Sequence, residues 1–364
     1  MKLKDSNQNC AVDSIASIDS MESTSRREFL ATSAKVGGLV SLAGLGMLGL
    51  GACSDSNEQN TQQTLTNTQG ATMQFVTLNN GVKIPILGLG VLNIKDLKEC
   101  QRVVEDALEV GYRLIDTAQA YANEEAVGAA IAASGLKREE IFITTKLFKK
   151  NTEDATKFAF DESCKKLKVD YVDLFLIHQP IGDLYAQWCA ISALYKQKRI
   201  RAIGVSNFYP DRLVDFCMNN EIIPAINQFI CNPFRQEIAL QKIMQEYNIA
   251  YEAFSPFAQG KNNIFSNEVL SQIAKKHNKS IGQIILRWLI ERNIIAIPKT
   301  AKKERMVENF KIFDFELDLE DKKQIATLET GNVGLNHRDP ATIKWLNERK
   351  IGESLATSGD KLGK

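Results

Sequence analysis

Four side chains carry groups suited to proton chemistry: the carboxyl of Asp116, the phenol of Tyr121, the amine of Lys146 and the imidazole of His178. Three of them close short apolar runs. Tyr112-Arg113-Leu114-Ile115 leads into Asp116, with Tyr121 in the loop beyond. Ile143-Thr144-Thr145 leads into Lys146, and Asp173-Leu174-Phe175-Leu176-Ile177 into His178. Such runs read as strands, which places the groups at strand ends. Singly, each has a structural reading: a capping acid in a surface turn, an exposed Tyr, a Lys snorkelling from a strand end, a satisfied rim His. On one rim they would meet around one pocket. An Asp116–Lys146 ion pair beside Tyr121 would keep the ammonium charged, and that charge would lower the Tyr pKa from about 10. Such a phenol can give a proton at neutral pH, with His178 orienting the oxygen that receives it.

That arrangement needs strands whose ends converge, and the chain supplies them. A hairpin over 73–84, turning at Asn79-Asn80-Gly81, precedes the main pattern. Strand-like runs follow at 86–91, 113–116, 141–146, 171–178, 201–206, 225–228, 250–253 and 294–299. Most are continuous Val/Ile/Leu/Phe runs, as parallel strands buried on both faces should be. Helical spacing fills the intervals at 97–110, 155–167, 184–196, 238–245 and 281–291, and Asn123-Glu124-Glu125 opens another helix with an acidic first turn. Eight strands alternating with helices predict an α/β protein built on a (β/α)8 TIM barrel, whose C-terminal rim is where chemistry is done. The alternative is a doubly wound open sheet. It would want a Gly-rich first βα turn, and Gly88-Leu89-Gly90-Val91-Leu92-Asn93 lacks the third Gly. Helices over 304–310 and 319–328 and a loop from 331 to 364 complete the chain.

Composition narrows the function classes. A formal net charge of +1 gives no electrostatic reason for a nucleic acid or an anionic membrane surface as partner. Seven Cys occur with no CxxC pair, and only three His, which argues against a zinc cage, a dense disulfide framework or a histidine metal site.

The leader reads as an address. Ser25-Arg26-Arg27-Glu28-Phe29-Leu30 is a twin-arginine pattern, followed by a Gly-rich apolar segment over 36–50 that is short for a membrane span. Leu50-Gly51-Ala52-Cys53 resembles a lipobox, in which the Cys carries the lipid. Gly44, Gly46 and Gly49 spell G-x-G-x-x-G, but no strand precedes them and the match is spurious. Residues 1–53 are thus expected to be a signal for the twin-arginine export machinery and 54–72, rich in Asn, Gln, Ser and Thr, a disordered tether. Residues 73–364 would form the barrel, exported and periplasmic or membrane-tethered through Cys53, with a cytoplasmic location as the alternative.

From residue 73 onward the chain resembles the aldo-keto reductase superfamily. The resemblance rests on the set Asp116, Tyr121, Lys146 and His178 and on blocks in family order: Gly88-Leu89-Gly90, Ile115-Asp116-Thr117-Ala118, Leu176-Ile177-His178-Gln179-Pro180, Gly204-Val205-Ser206-Asn207-Phe208, Asn227-Gln228 and Ile297-Pro298-Lys299-Thr300. The wording is similar to bacterial 2,5-diketo-D-gluconate reductases and related aldehyde reductases. The resemblance implies reduction of aldehydes or ketones with NADPH, the first four residues being catalytic. Ser206, Asn207 and Gln228 would hold the nicotinamide carboxamide, with Phe254, beside Ser255, stacked on the ring where relatives commonly carry Tyr or Trp. Lys299, Thr300 and Arg305 would grip the adenosine 2′-phosphate, while Glu308 and Asn309 meet the adenine. His178 marks carbonyl reducers, since relatives that reduce steroid C=C bonds carry Glu there.

Departures from the family pattern bear on substrate. Ala122 stands where many relatives have Gly, and Leu92 and Phe148 line the substrate pocket where relatives often carry Trp. The 331–364 segment would close over substrate. Two other functions fit parts of the pattern. One is a nucleotide-sensing barrel attached to a membrane partner, with slow chemistry. The other is a barrel using Lys146 as a Schiff-base amine.

Overall fold

Eight parallel strands alternate with helices in the computed structural model, which describes residues 65–66, 72–331 and 335–353. The strands are β1 (Leu89–Gly90), β2 (Leu114–Asp116), β3 (Phe142–Leu147), β4 (Val172–Ile177), β5 (Ile200–Ser206), β6 (Ile226–Ile230), β7 (Ala250–Phe254) and β8 (Ile295–Ala296). Each pairs with the next in chain order. A parallel bridge between Leu87 and Ala296 joins the last strand to the first, reinforced by Gly88 N–H donating to Ala296 O and Ala296 N–H to Ile86 O, both at 2.9 Å. The sheet is therefore closed, a (β/α)8 TIM barrel. Every residue of β3 and β4 is buried, the continuous apolar runs packing inward on side chains and outward on helices. Gly204 on β5 is required by packing. A Cβ there would come within 2.6 Å of Ile226 O and 2.8 Å of the Leu176 side chain.

The helices are α1 (Leu97–Val110), α2 (Glu124–Ala133), α3 (Glu153–Leu167), α4 (Leu184–Lys196), α5 (Pro210–Met218), α6 (Ile238–Glu246), α7 (Glu268–His277), α8 (Ile281–Glu291), α9 (Lys303–Phe310), α10 (Leu319–Ala326) and α11 (Pro340–Glu348). Local chemistry fixes their ends. Asp96 caps α1 by accepting Glu99 N–H at 2.8 Å, and Gly111 ends it in the left-handed region at φ 119°. Ser280 and Gln283 form a reciprocal capping box at the start of α8.

The hairpin Phe75–Thr77 with Lys83–Pro85 lies at the end of the barrel away from the candidate chemistry. Its turn residues tie to the entries of β5 and β6: Asn80 Nδ2 donates to Arg201 O at 2.9 Å and Asn79 Nδ2 to Pro224 O at 3.0 Å. Inside the stretch read as a tether, Leu65–Thr66 pairs antiparallel with Thr72–Met73. The twin-arginine and Cys53 expectations lie outside the described residues.

Three sequence expectations are corrected. The run at 294–299 yields only two ladder residues, because Pro298 has no N–H to continue the pairing; its carbonyl still accepts Gly90 N–H at 3.1 Å. The first strand is likewise shorter than 86–91. The segment from 331, expected as loop, contains α11. Asp339 caps it through Ala341 N–H at 3.0 Å, Pro340 opens it, and Thr342 and Leu346, four apart, are buried together.

Candidate active site

Adjacent strand ends bring the first four residues together. Asp116 ends β2, and Lys146 projects from β3, where Asp116 stands in register with Thr144. Both side chains are buried, Lys146 completely. Lys146 Nζ donates to Asp116 Oδ1 at 2.5 Å and to the Thr117 carbonyl at 2.9 Å, and it lies 3.4 Å from Tyr121 Oη. Tyr121 ends a short 3-10 turn (Gln119–Tyr121) held by buried polar bonds. Gln119 Nε2 donates to Ala159 O and Ser163 Oγ, both at 2.9 Å, while its Oε1 accepts Phe148 N–H at 2.8 Å. Ala122 follows in the left-handed region at φ 56°, a conformation that a Cβ penalises by about 1–2 kcal/mol and that Gly adopts freely. His178, just past β4, sets its ring edge-to-face on Tyr121 with centroids 5.5 Å apart.

The charges differ from the sequence expectation at one point. Burial pushes the Tyr121 phenol above its ordinary value; Lys146 pulls it down, but burial, aided by the Asp116 charge, wins. The expected net lowering is therefore overturned. Tyr121 stays protonated through the neutral range, and the Lys146 charge is in place to stabilise a phenolate when one forms. Burial also works against the Lys146 charge, yet Asp116 and Tyr121 outweigh it and raise its pKa. Burial, then the Lys146 and Arg349 charges, hold His178 well below the usual histidine range. Its imidazole is neutral, with Nδ1 buried and without a hydrogen-bond partner among the described residues.

A second set lines the adjoining rim. Ser206 Oγ donates to Gln228 O at 2.9 Å, and Asn207 Nδ2 donates to His178 O and Ser206 Oγ, both at 3.0 Å. Asn207 holds φ 65°, and Ser255, just past β7, φ 51°. Gln228 Nε2 donates to Asp116 Oδ2 at 2.8 Å, which ties this set to the first four residues. Phe254 ends β7 half-buried. Leu92 follows Val91, whose N–H bonds Asp116 O at 3.1 Å, so Leu92 and Phe148 both flank the Asp116–Tyr121 loop.

Past β8, Lys299 and Arg305 are exposed, Thr300 and Asn309 are buried, and Thr300 Oγ1 accepts Lys302 N–H at 3.2 Å. Glu308 is engaged by Ser280 Oγ, and its carbonyl accepts Gln283 Nε2 at 3.1 Å. Among the described residues neither Lys299 nor Arg305 takes part in an ion pair, and the N-terminus of α9 has no side-chain cap. Two unpaired cations beside a helix start suit a phosphate.

Sequence reasoning missed Glu252 and Arg349. Glu252 is fully buried on β7, and a charged residue inside Ala250-Tyr251-Glu252-Ala253-Phe254 was the available signal. Arg349, just after α11, is buried, and its charge is felt at both Tyr121 and His178. No local pattern marks it. Its neighbourhood is fixed by Gly352 N–H, which donates to Ala120 O at 3.1 Å beside Tyr121.

Comparison with known proteins decides the family: the model of the "Aldo/keto reductase family" matches residues 86–330. The chain belongs to the aldo/keto reductase family. This aldo/keto reductase is 45% identical over 255 residues to the glyoxal reductase of Bacillus subtilis, covering 70% of this chain and 92% of the relative. It is 40% identical over 264 residues to a methylglyoxal reductase of Yersinia pestis, covering 71% and 95%. The crystal structure of a Bombyx mori aldo-keto reductase in complex with NADP superposes with a TM-score of 0.67 at 37% identity, covering 70% of this chain and 92% of that one.

Proposed function

We propose that this barrel reduces small aldehydes and ketones to alcohols with NADPH, Tyr121 giving the proton. The observation that carries the reading is Lys146 Nζ poised between Asp116 Oδ1 and Tyr121 Oη. Similarity to proteins named glyoxal and methylglyoxal reductase, and to a structure holding NADP, supports the substrate class and the cofactor. NADPH, when bound, supplies the hydride. Neutral His178 can donate one hydrogen bond to the carbonyl oxygen and so orient it beside Tyr121. As that oxygen gains charge, Tyr121 passes its proton across, and Lys146, charged and anchored on Asp116, stabilises the phenolate left behind. Ser206, Asn207 and Gln228 would hold the nicotinamide carboxamide and Phe254 the ring face. Leu92 and Phe148 would border the substrate with apolar surface. Consumption of NADPH with methylglyoxal as carbonyl probe tests the reading, and no turnover with any simple aldehyde would refute it.

Lys299 and Arg305, with Thr300, would take the 2′-phosphate, and Asn309 the adenine. Glu308 can reach adenine only by sharing its Ser280 contact. Arg305→Ala should weaken NADPH binding about ten- to a hundred-fold while changing NADH little, since a charge-assisted contact of about 1.5–3 kcal/mol is lost only with the phosphate. Equal loss for both nucleotides, measured by fluorescence titration, would make Arg305 structural.

The export reading supports an extracytoplasmic place for this chemistry. What supports it is the order Arg26-Arg27, apolar segment, Cys53 in the leader. The twin-arginine route carries folded proteins, so the enzyme would cross with its cofactor already held. Arg26→Lys with Arg27→Lys should leave active protein in the cytoplasm, and Cys53→Ala should abolish acylation and stable membrane association. Wild-type protein that retains residues 1–52 and fractionates with cytosolic markers would end this idea.

A further inference from the structure

Behind the Asp116–Lys146 pair lies a second buried carboxyl that the chemistry above does not use. Glu252 on β7 is in register with Gln228 on β6, and both side chains are buried. The Gln228 amide nitrogen has two hydrogens and two acceptors: Asp116 Oδ2 at 2.8 Å and Glu252 Oε2 at 3.1 Å. Glu252 Oε1 has no hydrogen-bond partner among the described residues. The charged groups acting on Glu252 are Asp116 on β2 and Lys146 on β3. Two carboxylates against one ammonium in a closed interior would leave an uncompensated negative charge. Burial first, then the Asp116 charge, push Glu252 up to about 8, so at neutral pH it keeps its proton. Lys146 then has one counter-ion. Oε2 is the oxygen that accepts from Gln228.

The consequence falls on the Gln228 amide. An amide is planar, so fixing its nitrogen fixes where its oxygen points. With both N–H bonds committed to the barrel interior, Oε1 is turned the opposite way and accepts no hydrogen bond among the described residues. Asp116 alone would hold one N–H and leave the amide free to rotate about it. The second acceptor removes that freedom.

We propose that Glu252 is a positioning residue. By accepting the second Gln228 N–H it presents Gln228 Oε1 as a preset acceptor for the carboxamide NH2 of the nicotinamide. The inference rests on the reading that Gln228 meets that carboxamide. Preorganisation of this kind strengthens binding without a new contact to the ligand, because the ordering cost is met before the ligand arrives.

Glu252→Gln keeps an acceptor of the same shape, whereas Glu252→Leu removes it and fills the space. NADPH dissociation constants, measured by fluorescence titration, should stay within about three-fold of wild type for Glu252→Gln and rise about ten-fold for Glu252→Leu, the loss of one net hydrogen bond. Thermal unfolding of the apoproteins checks that each variant folds. Should Glu252→Leu not fold, Glu252→Thr, whose side chain stops short of Gln228, takes its place under the same expectation. Wild-type NADPH affinity in the variant without an acceptor would overturn the proposal. So would Glu252→Gln binding as weakly as Glu252→Leu. Gln228→Leu separates this inference from the reading beneath it. If that variant binds NADPH normally, Gln228 does not meet the carboxamide and the underlying reading falls; if it binds weakly while Glu252→Leu does not, only the positioning role falls.

Discussion

Replacement of Tyr121 by Phe is expected to cut carbonyl reduction by at least about 10²–10⁴-fold, the range for loss of a general acid. The ring is retained, so the edge-to-face contact with His178 and the packing of the 3-10 turn persist. NADPH affinity should barely change, because Tyr121 lies among the carbonyl-facing groups and not among the rim residues assigned to the cofactor. The loss should therefore fall on kcat. Burial keeps the phenol protonated well past neutral pH, so the wild-type rate should not decline through pH 7–8 on account of Tyr121. Near-normal turnover by the Phe variant would remove Tyr121 from the mechanism.

Lys146→Met is expected to remove activity and to lower stability as well. Lys146 is fully buried and makes an ion pair at 2.5 Å, so the variant strands the Asp116 carboxylate inside the barrel. Losing one partner of a buried pair costs about 3–5 kcal/mol, which a thermal melt would register as a drop of many degrees. Activity should fall by about 10²-fold or more, since no cation remains to stabilise the Tyr121 phenolate. The double variant Lys146→Met with Asp116→Asn separates the two effects. Removing both charges should recover much of the stability, because no lone ion is left buried, and none of the activity. If the double variant melts as low as the single one, the cost lies in packing and not in charge. Recovered turnover would mean Lys146 is dispensable to the chemistry.

The strand ends were legible because a parallel strand buried on both faces writes itself as an apolar run, and a polar residue closing that run stands out. Asp116, Lys146 and His178 stand out that way, and the Asp116–Lys146 hydrogen bond and the Tyr121–His178 ring contact follow from β2, β3 and β4 lying side by side. The bounds of α1, α4 and α8 were legible from apolar residues at helical spacing, and in the structure Asp96, Asp183 and Ser280 accept the first free N–H groups there. The sign of the Tyr121 shift was not. A charge pair can be guessed from residue types, but how much water a finished barrel excludes depends on every surrounding element. Arg349 was hidden for a related reason: nothing near residue 349 records that Gly352 will dock on Ala120. Glu252 stands out as an acid in an apolar run, but it sits at the centre of β7 and not at a strand end, where Asp116, Lys146 and His178 lie.

The seam that closes the sheet also sets a timetable for synthesis. Leu87 and Ala296 touch across more than two hundred residues of chain. At about 5–20 residues per second of translation, roughly 10–40 s separate their emergence from the ribosome. Through that interval β1 has its neighbour β2 on one side and an unsatisfied edge on the other, the kind of edge that recruits foreign strands. Lys299 and Arg305 follow Ala296 in the chain, so the residues assigned to the 2′-phosphate emerge only after the closing strand has been made. A nascent chain can have made Asp116, Tyr121, Lys146 and His178 and still lack the residues assigned to its nucleotide.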